Sequence, residues 1–150
     1  YAKEVFNLLV GESHAELIKQ KIGTAIDFNE KLEFPMRGRD IISGLPREVM
    51  VTDAHVREAI GRSVQSIADI VKMTLEITPP ELTADIHERG LLISGGGSLL
   101  KGIEQIISDA ADVPVRVAGD PQTAVVRGTG ILLENPELLA EVALPSTRRK

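Results

Sequence analysis

The sequence predicts an α/β protein, and three observations carry that reading. One is a long amphipathic stripe, Val56, Ile60, Val64, Ile67, Val71 and Leu75, repeating every three or four residues. Another is a pair of alternating runs upstream of it, around residues 32–36 and 49–51. The third is a strand-helix-strand-helix order downstream, opening on the compact apolar run Leu91-Leu92-Ile93.

Taken in order, residues 1–10 carry apolar Val5, Phe6, Leu8, Leu9 and Val10 and read as the end of a helix stopped by Gly11. Ser13-His14-Ala15-Glu16 has the form of a capping box, so a second helix is expected over 14–22, ending at Gly23. Leu32, Phe34 and Met36 alternate with Glu33, Pro35 and Arg37, as in a half-buried strand. Pro35 has no N–H for a ladder, which predicts an edge position. Arg37-Gly38-Arg39-Asp40 reads as a loop, Gly44-Leu45-Pro46 as a turn, and Val49 and Val51 as one face of a second strand. A small antiparallel element of two or three strands follows from these. The long stripe then forms a helix capped by Thr52 or Asp53 and ended by Pro79-Pro80.

Residues 80–89 predict a short helix closed by Gly90, and 91–93 a buried central strand. That strand runs into Gly95-Gly96-Gly97, with a new helix from Ser98 or Leu99 to about Ala111. Residues 113–117 suit a short strand. Asp120-Pro121 places an N-cap before a first-turn proline, so a helix is expected over 121–133. A helical patch at 136–144 and the basic end Arg148-Arg149-Lys150 close the chain, with no internal repeat or low-complexity linker.

Composition bounds the function. The 150 residues are 43% hydrophobic and 26% charged, as in a folded soluble domain. A net charge of -5 and only four aromatics (Tyr1, Phe6, Phe28 and Phe34) argue against a nucleic-acid partner. The absence of Cys excludes disulfides, thiolate metal sites and a Cys nucleophile. No apolar run approaches the roughly 20 residues of a membrane span, and the cytoplasm is the expected location. The first Met is Met36, inside patterned sequence, so a segment of a longer protein is expected.

The glycine run admits two readings. A strand leading through bare backbone into a helix lets amides approach a phosphate, or floors an adenosine pocket; it equally serves as a tight turn. It fits neither the dinucleotide fingerprint, because Leu100 stands in the third glycine's place, nor a P-loop, because Ile103 follows Gly102. Glu16 and Lys19, three apart on a helix, share a face and can pinch a polar ligand. The competing reading makes Glu16 the capping-box partner and leaves Lys19 in solvent. Searches for catalysis end empty: His14, His55 and His87 stand apart, Ser98 lacks the closing glycine of a nucleophile elbow, and Asp120 reads as an N-cap. No catalytic residue and no metal ligand is assigned.

Several segments together carry a family resemblance: Arg37-Gly38-Arg39-Asp40, Gly44-Leu45-Pro46-Arg47, Thr78-Pro79-Pro80-Glu81-Leu82 with Ala84-Asp85-Ile86, and Glu88-Arg89-Gly90. Leu91 through Leu100, Asp120-Pro121 and Gly128-Thr129-Gly130 continue it. Over residues 6–135 the chain resembles the C-terminal portion of the MreB family of bacterial actin homologues. The resemblance implies an actin-like ATPase fold with a ribonuclease H-like lobe, here partial, and a small α+β outer lobe. It implies a small outer lobe over 1–78, half of the inner lobe over 79–134, and a tail over 135–150.

By the same resemblance, ATP sits between the lobes, with Gly95, Gly96, Gly97, Ser98 and Leu99 against the adenosine and Glu16 and Lys19 contacting adenine and ribose. Filaments formed by self-association, a link to the cell-wall synthesis machinery in rod-shaped cells, and membrane association are further implications for the intact protein. The family's phosphate loops, its magnesium-holding aspartates and its membrane-binding segment match nothing in these residues, so hydrolysis is not expected of this chain alone. Ile131 stands where family members often carry Lys. The alternatives are the C-terminal half of another actin-fold ATPase, of sugar-kinase or chaperone type, and a stand-alone interaction module without nucleotide.

Overall fold

The structure, a computed structural model, describes residues 1–143. The first helix, α1 (Ala2–Phe6), is shorter than its apolar pattern suggests. Asn7 adopts a left-handed φ of 53°, a conformation that Asn tolerates, and reverses the chain. Leu8 and Leu9 then form β1 (Leu8–Leu9), which pairs antiparallel with Asp40 and Arg39. Leu8 is 0% exposed, so the sheet gives this side chain a complete burial.

Helix α2 (Glu12–Ile22) starts one turn-position earlier than a capping box at Ser13 would allow. Extended Gly11 is its N-cap, and the Gly11 carbonyl accepts the amides of His14 and Ala15 at 3.1 and 3.0 Å. Ser13 therefore lies inside the helix and caps nothing. The expected capping box is absent.

Strands β2 (Glu33–Asp40) and β3 (Pro46–Thr52) form a hairpin in the register Phe34↔Val51 and Met36↔Val49. Residues 37–40, expected as a loop, are strand. The order β1-β2-β3 also makes β2 the middle strand, not an edge. Pro35 is tolerated because β1 covers only Arg39 and Asp40. Two residues along, with the same orientation, the Arg37 amide turns away from β3 and donates to His14 Nε2 at 3.0 Å. The N–H that Pro35 lacks would thus face a stretch without a neighbouring strand. Asp40 closes the hairpin: its Oδ1 accepts the amides of Ile42 and Ser43 at 2.9 and 2.8 Å, and Oδ2 takes Arg47 at 2.8 Å. Those bonds, the Ser43 amide first and Arg47 next, hold its carboxyl down at about 2.

Helix α3 (Asp53–Glu76) has 24 residues, about 36 Å of rod. Thr52 is its N-cap: the Thr52 amide donates to His55 Nδ1 at 3.0 Å, and the His55 amide returns to Thr52 Oγ1. The helix serves two cores. Val56 joins Leu8, Ile18, Ile22, Met36 and Val51 in the first; Val64 joins Ile103 and Ile107 in the second; Ile60 packs against both. The buried line continues to Ala68, at 0% exposure, while Ile67 is 47% exposed. The stripe expected through Ile67 is thus shifted by one position at this turn, with the small Ala68 buried in its place.

Beyond α4 (Pro80–Arg89) and Gly90, β4 (Leu91–Ile93) pairs parallel with β5 (Val115–Val117). Leu91, Ile93 and Val115 pack on the second core, but Leu92 is 70% exposed. The expected fully buried strand is therefore packed on one face only, since just two strands with α5 below them make this layer. After β4 the chain makes a 3₁₀ turn, Gly96–Leu99, not the start of a long helix. Leu100 is extended, Gly102 is left-handed, and α5 (Ile103–Ala111) begins only then. The left-handed backbone at Gly102, φ 82°, cannot continue a helix, and a Cβ there would lie 2.6 Å from the Ile26 side chain, so glycine is required.

Helix α6 (Ala124–Glu134) likewise starts later than Pro121, and Thr123 rather than Asp120 is its N-cap. Asp120 has φ 49°, outside N-cap geometry, and accepts the Thr123 hydroxyl. Helix α7 (Pro136–Val142) follows, capped by Asn135. Leu144 and the basic Arg148-Arg149-Lys150 lie outside the described residues. The two cores are tied by a parallel bridge between Thr24 and Lys101, with Ala25 N–H donating to Lys101 O at 2.7 Å. Arg57 reinforces it, donating to Thr24 Oγ1 at 2.8 Å, Ile26 O at 3.2 Å and Asp53 Oδ2 at 3.1 Å.

Candidate functional site

Between the two cores lies a cleft of about 740 Å³. Helix α2 contributes Glu16, Lys19 and Gln20 to one wall; the glycine turn contributes Gly96, Gly97, Leu99 and Leu100 to the other. Ile60, Ser63, Val64 and Ile67 of α3 line the bottom, with Ile103 and Gln122 completing the lining. A smaller open groove of about 410 Å³ beside the first core shares Glu16, Lys19 and Ile60 with it.

Glu16 faces this cleft because α2 starts at Glu12, which leaves no N-terminal amide for it to cap. Its carboxylate instead reaches forward along the helix. Lys19 Nζ lies 2.6 Å from one oxygen, and Gln20 Nε2 donates to the other at 3.0 Å. Lys19 first, and Gln20 next, hold the carboxyl below its ordinary range, so it is an anion at neutral pH. Each oxygen keeps a further acceptor site for a hydroxyl.

The opposite wall is set by backbone. Gly95 N–H donates to Pro121 O at 2.8 Å, tying the turn to the loop before α6. Ser98 is buried, and its hydroxyl turns inward to Gly95 O at 2.7 Å. Gly95 and Ser98 thus brace the wall from behind, while Gly96, Gly97 and Leu99 form its surface. A Cβ on Gly97 would meet nothing within 4 Å, and one on Gly96 only Gln122 Nε2 at 3.8 Å. Neither glycine is demanded by the chain's own packing; their bareness keeps the cleft open.

Of the seven residues singled out from the sequence, five line this one cleft. Sequence reasoning passed over Gln20, Ser63 and Gln122. Ser63 follows Ile60 by three and precedes Ile67 by four, a spacing that puts it on the cleft side once Ile67 is known to be outside the core. Gln122 carried no signal while residues 121–133 were read as one helix. Chemically the cleft offers aliphatic walls with polar groups at its ends, as a small-molecule binding site does. Among the described residues, no group of three or more His, Asp or Glu is placed to hold a metal ion, and no helix is long and apolar enough to cross a membrane.

A profile of the MreB/Mbl protein family matches residues 1–141. The chain belongs to the MreB/Mbl family. It is 45% identical over 139 residues to the cell shape-determining protein Mbl of Bacillus subtilis, covering 93% of this chain and 42% of that protein. To the cell shape-determining protein MreB of Escherichia coli it is 39% identical over 134 residues, covering 89% of this chain and 39% of the other. This MreB/Mbl chain therefore spans about two fifths of the length of the curated relatives it matches.

Its structure superposes on MreB5 of Spiroplasma citri bound to AMPPNP with a TM-score of 0.87 at 32% identity, covering 96% of this chain and 43% of that one. The MamK double helical filament gives a TM-score of 0.66 at 20% identity, covering 96% of this chain and 41% of that one, which speaks to fold alone. Together these establish a partial actin-like fold for the MreB/Mbl chain, as the α/β order and the motifs imply.

Proposed function

We propose that this chain supplies the adenosine-holding part of an ATP cleft in an actin-like cytoskeletal protein. The observation that carries the reading is the meeting of Glu16 and Lys19 with Gly96 and Gly97 across one cleft, from opposite ends of the sequence. In this reading the purine lies on the Gly96–Leu99 wall, where bare backbone permits close approach, and Glu16 accepts the ribose hydroxyls. Lys19 both orients Glu16 and offers N–H donors to the base. Gly95 and Ser98 shape the wall without touching the ligand. Support comes also from the solved MreB5 structures of Spiroplasma citri bound to AMPPNP and to ADP.

The two cores are read as an outer lobe over 1–78 and half of an inner lobe over 79–134, with α3 shared between them. The relatives named cell shape-determining support a role in maintaining rod shape. For the intact protein we assign ATP hydrolysis with magnesium, filament formation, organisation of cell-wall synthesis, and a cytoplasmic, membrane-associated location through regions outside this chain. In this reading the chain itself contributes binding.

Titration of the purified chain with ATP tests the cleft. Gly96→Asp, which puts a carboxylate on the wall, and Glu16→Ala, which removes the ribose acceptor, are each expected to weaken binding about tenfold or more. Unchanged affinity in both variants would place the nucleotide outside this cleft, and no binding by wild type would make the chain a scaffold without a nucleotide site.

A further inference from the structure

We propose that Gln122 reads the base of the bound nucleotide and selects adenine over guanine, an inference that rests on the adenosine reading of the cleft given above. The glycine wall is otherwise backbone and aliphatic side chain: Gly96, Gly97, Leu99, Leu100 and Ile103 offer no side-chain donor or acceptor. Gln122 is the one residue on that side whose side chain can form hydrogen bonds, and its Nε2 would stand 3.8 Å from a Cβ at Gly96. The carboxamide therefore stands beside the bare backbone of Gly96, where the edge of a flat ring on that wall would lie.

Its position is fixed by the residues on either side. Pro121 O accepts the Gly95 amide at 2.8 Å, and the Thr123 amide and hydroxyl both bond back to Asp120. The loop is pinned before and after Gln122 while, among the described residues, no protein group hydrogen-bonds its carboxamide. A group that is anchored by its neighbours yet left free at its tip is available to a ligand.

The chemistry follows from the amide. A carboxamide presents one donor and one acceptor side by side. Adenine offers the complement, with N6–H donating and N7 accepting on one edge, whereas guanine offers two acceptors there, O6 and N7. One amide satisfies both adenine groups but only one of guanine's. The penalty for guanine is an unmet acceptor in a partly enclosed site.

The test is a titration of the full chain with ATP, GTP and 7-deaza-ATP, which lacks the N7 acceptor. The same titration is made on Gln122→Leu, with Gly96→Asp as the control for the cleft. Wild type is expected to bind ATP about tenfold more tightly than GTP or 7-deaza-ATP. Gln122→Leu should bring all three within about a factor of two, by losing ATP affinity only. If Gly96→Asp abolishes binding while Gln122→Leu leaves the ATP preference intact, the cleft reading stands and this inference is overturned. If wild type binds no nucleotide, the cleft reading itself fails and the inference goes with it.

Discussion

Glu16 is bonded through both of its oxygens before any ligand arrives, one to Lys19 and one to Gln20. A carboxylate prepared in this way needs little further ordering to accept hydroxyls. It was visible in the sequence as an E-x-x-K pair, but the bond that orients it was not, because the capping-box reading sent the same carboxylate backward. Asp40 shows the same economy in a structural setting. Its folded value of about 2 lies below the ordinary 3.8, so its stabilising effect is full above about pH 4 and lost as pH falls toward 2. Thermal melts of wild type should therefore drop between pH 4 and 2, while Asp40→Asn, already less stable at neutral pH, should show a smaller drop. Equal drops in both would remove Asp40 from the account. Leu8→Ala, at the most buried position of the first core, is expected to cost about 2–5 kcal/mol in denaturant titrations.

At the scale of elements, the alternating and helical periods located β3, α3, α4 and α7 closely and the first half of β2, because burial of one face dominates there. The failures cluster where a single backbone conformation redirects the chain. Asn7 turns a helical pattern into β1, Gly102 postpones α5, and left-handed Asp120 postpones α6. Such conformations are decided by what the turn must pack against, and periodicity does not record that. Gly38 is a further example. A Cβ there would come within 2.3 Å of Leu9 O, so β1 can lie beside β2 only because this residue has no side chain. Gly38→Ala should detach β1, losing amide-exchange protection at Leu9 and about 1–3 kcal/mol of stability. Retained protection at Leu9 would show that the strand relaxes around the methyl group. Ile67 and Ala68 make the complementary point: the apolar stripe passed through Ile67, whereas the neighbouring small residue is the one fully buried.

For the whole molecule, the α/β order and the family motifs were legible, and so was the pairing of α2 with the glycine turn once the resemblance was drawn. The sharing of α3 between two cores was not, since a stripe of apolar residues does not say that its upper and lower halves face different partners. Ile60 sits at the changeover. Ile60→Ala is expected to cost about 2 kcal/mol or more and, unlike Leu8→Ala, to lower exchange protection in both α2 and α5. Loss confined to one of them would mean that Ile60 supports one core only and that Val56 and Val64 carry the join along α3.

A rod embedded in both halves also restricts how the intervening mouth can move. Any displacement of one half against the other must bend those 24 residues of continuous helix or shear the side chains packed on it. A guest in the cleft therefore meets two walls whose spacing is set by the packing on a single helix.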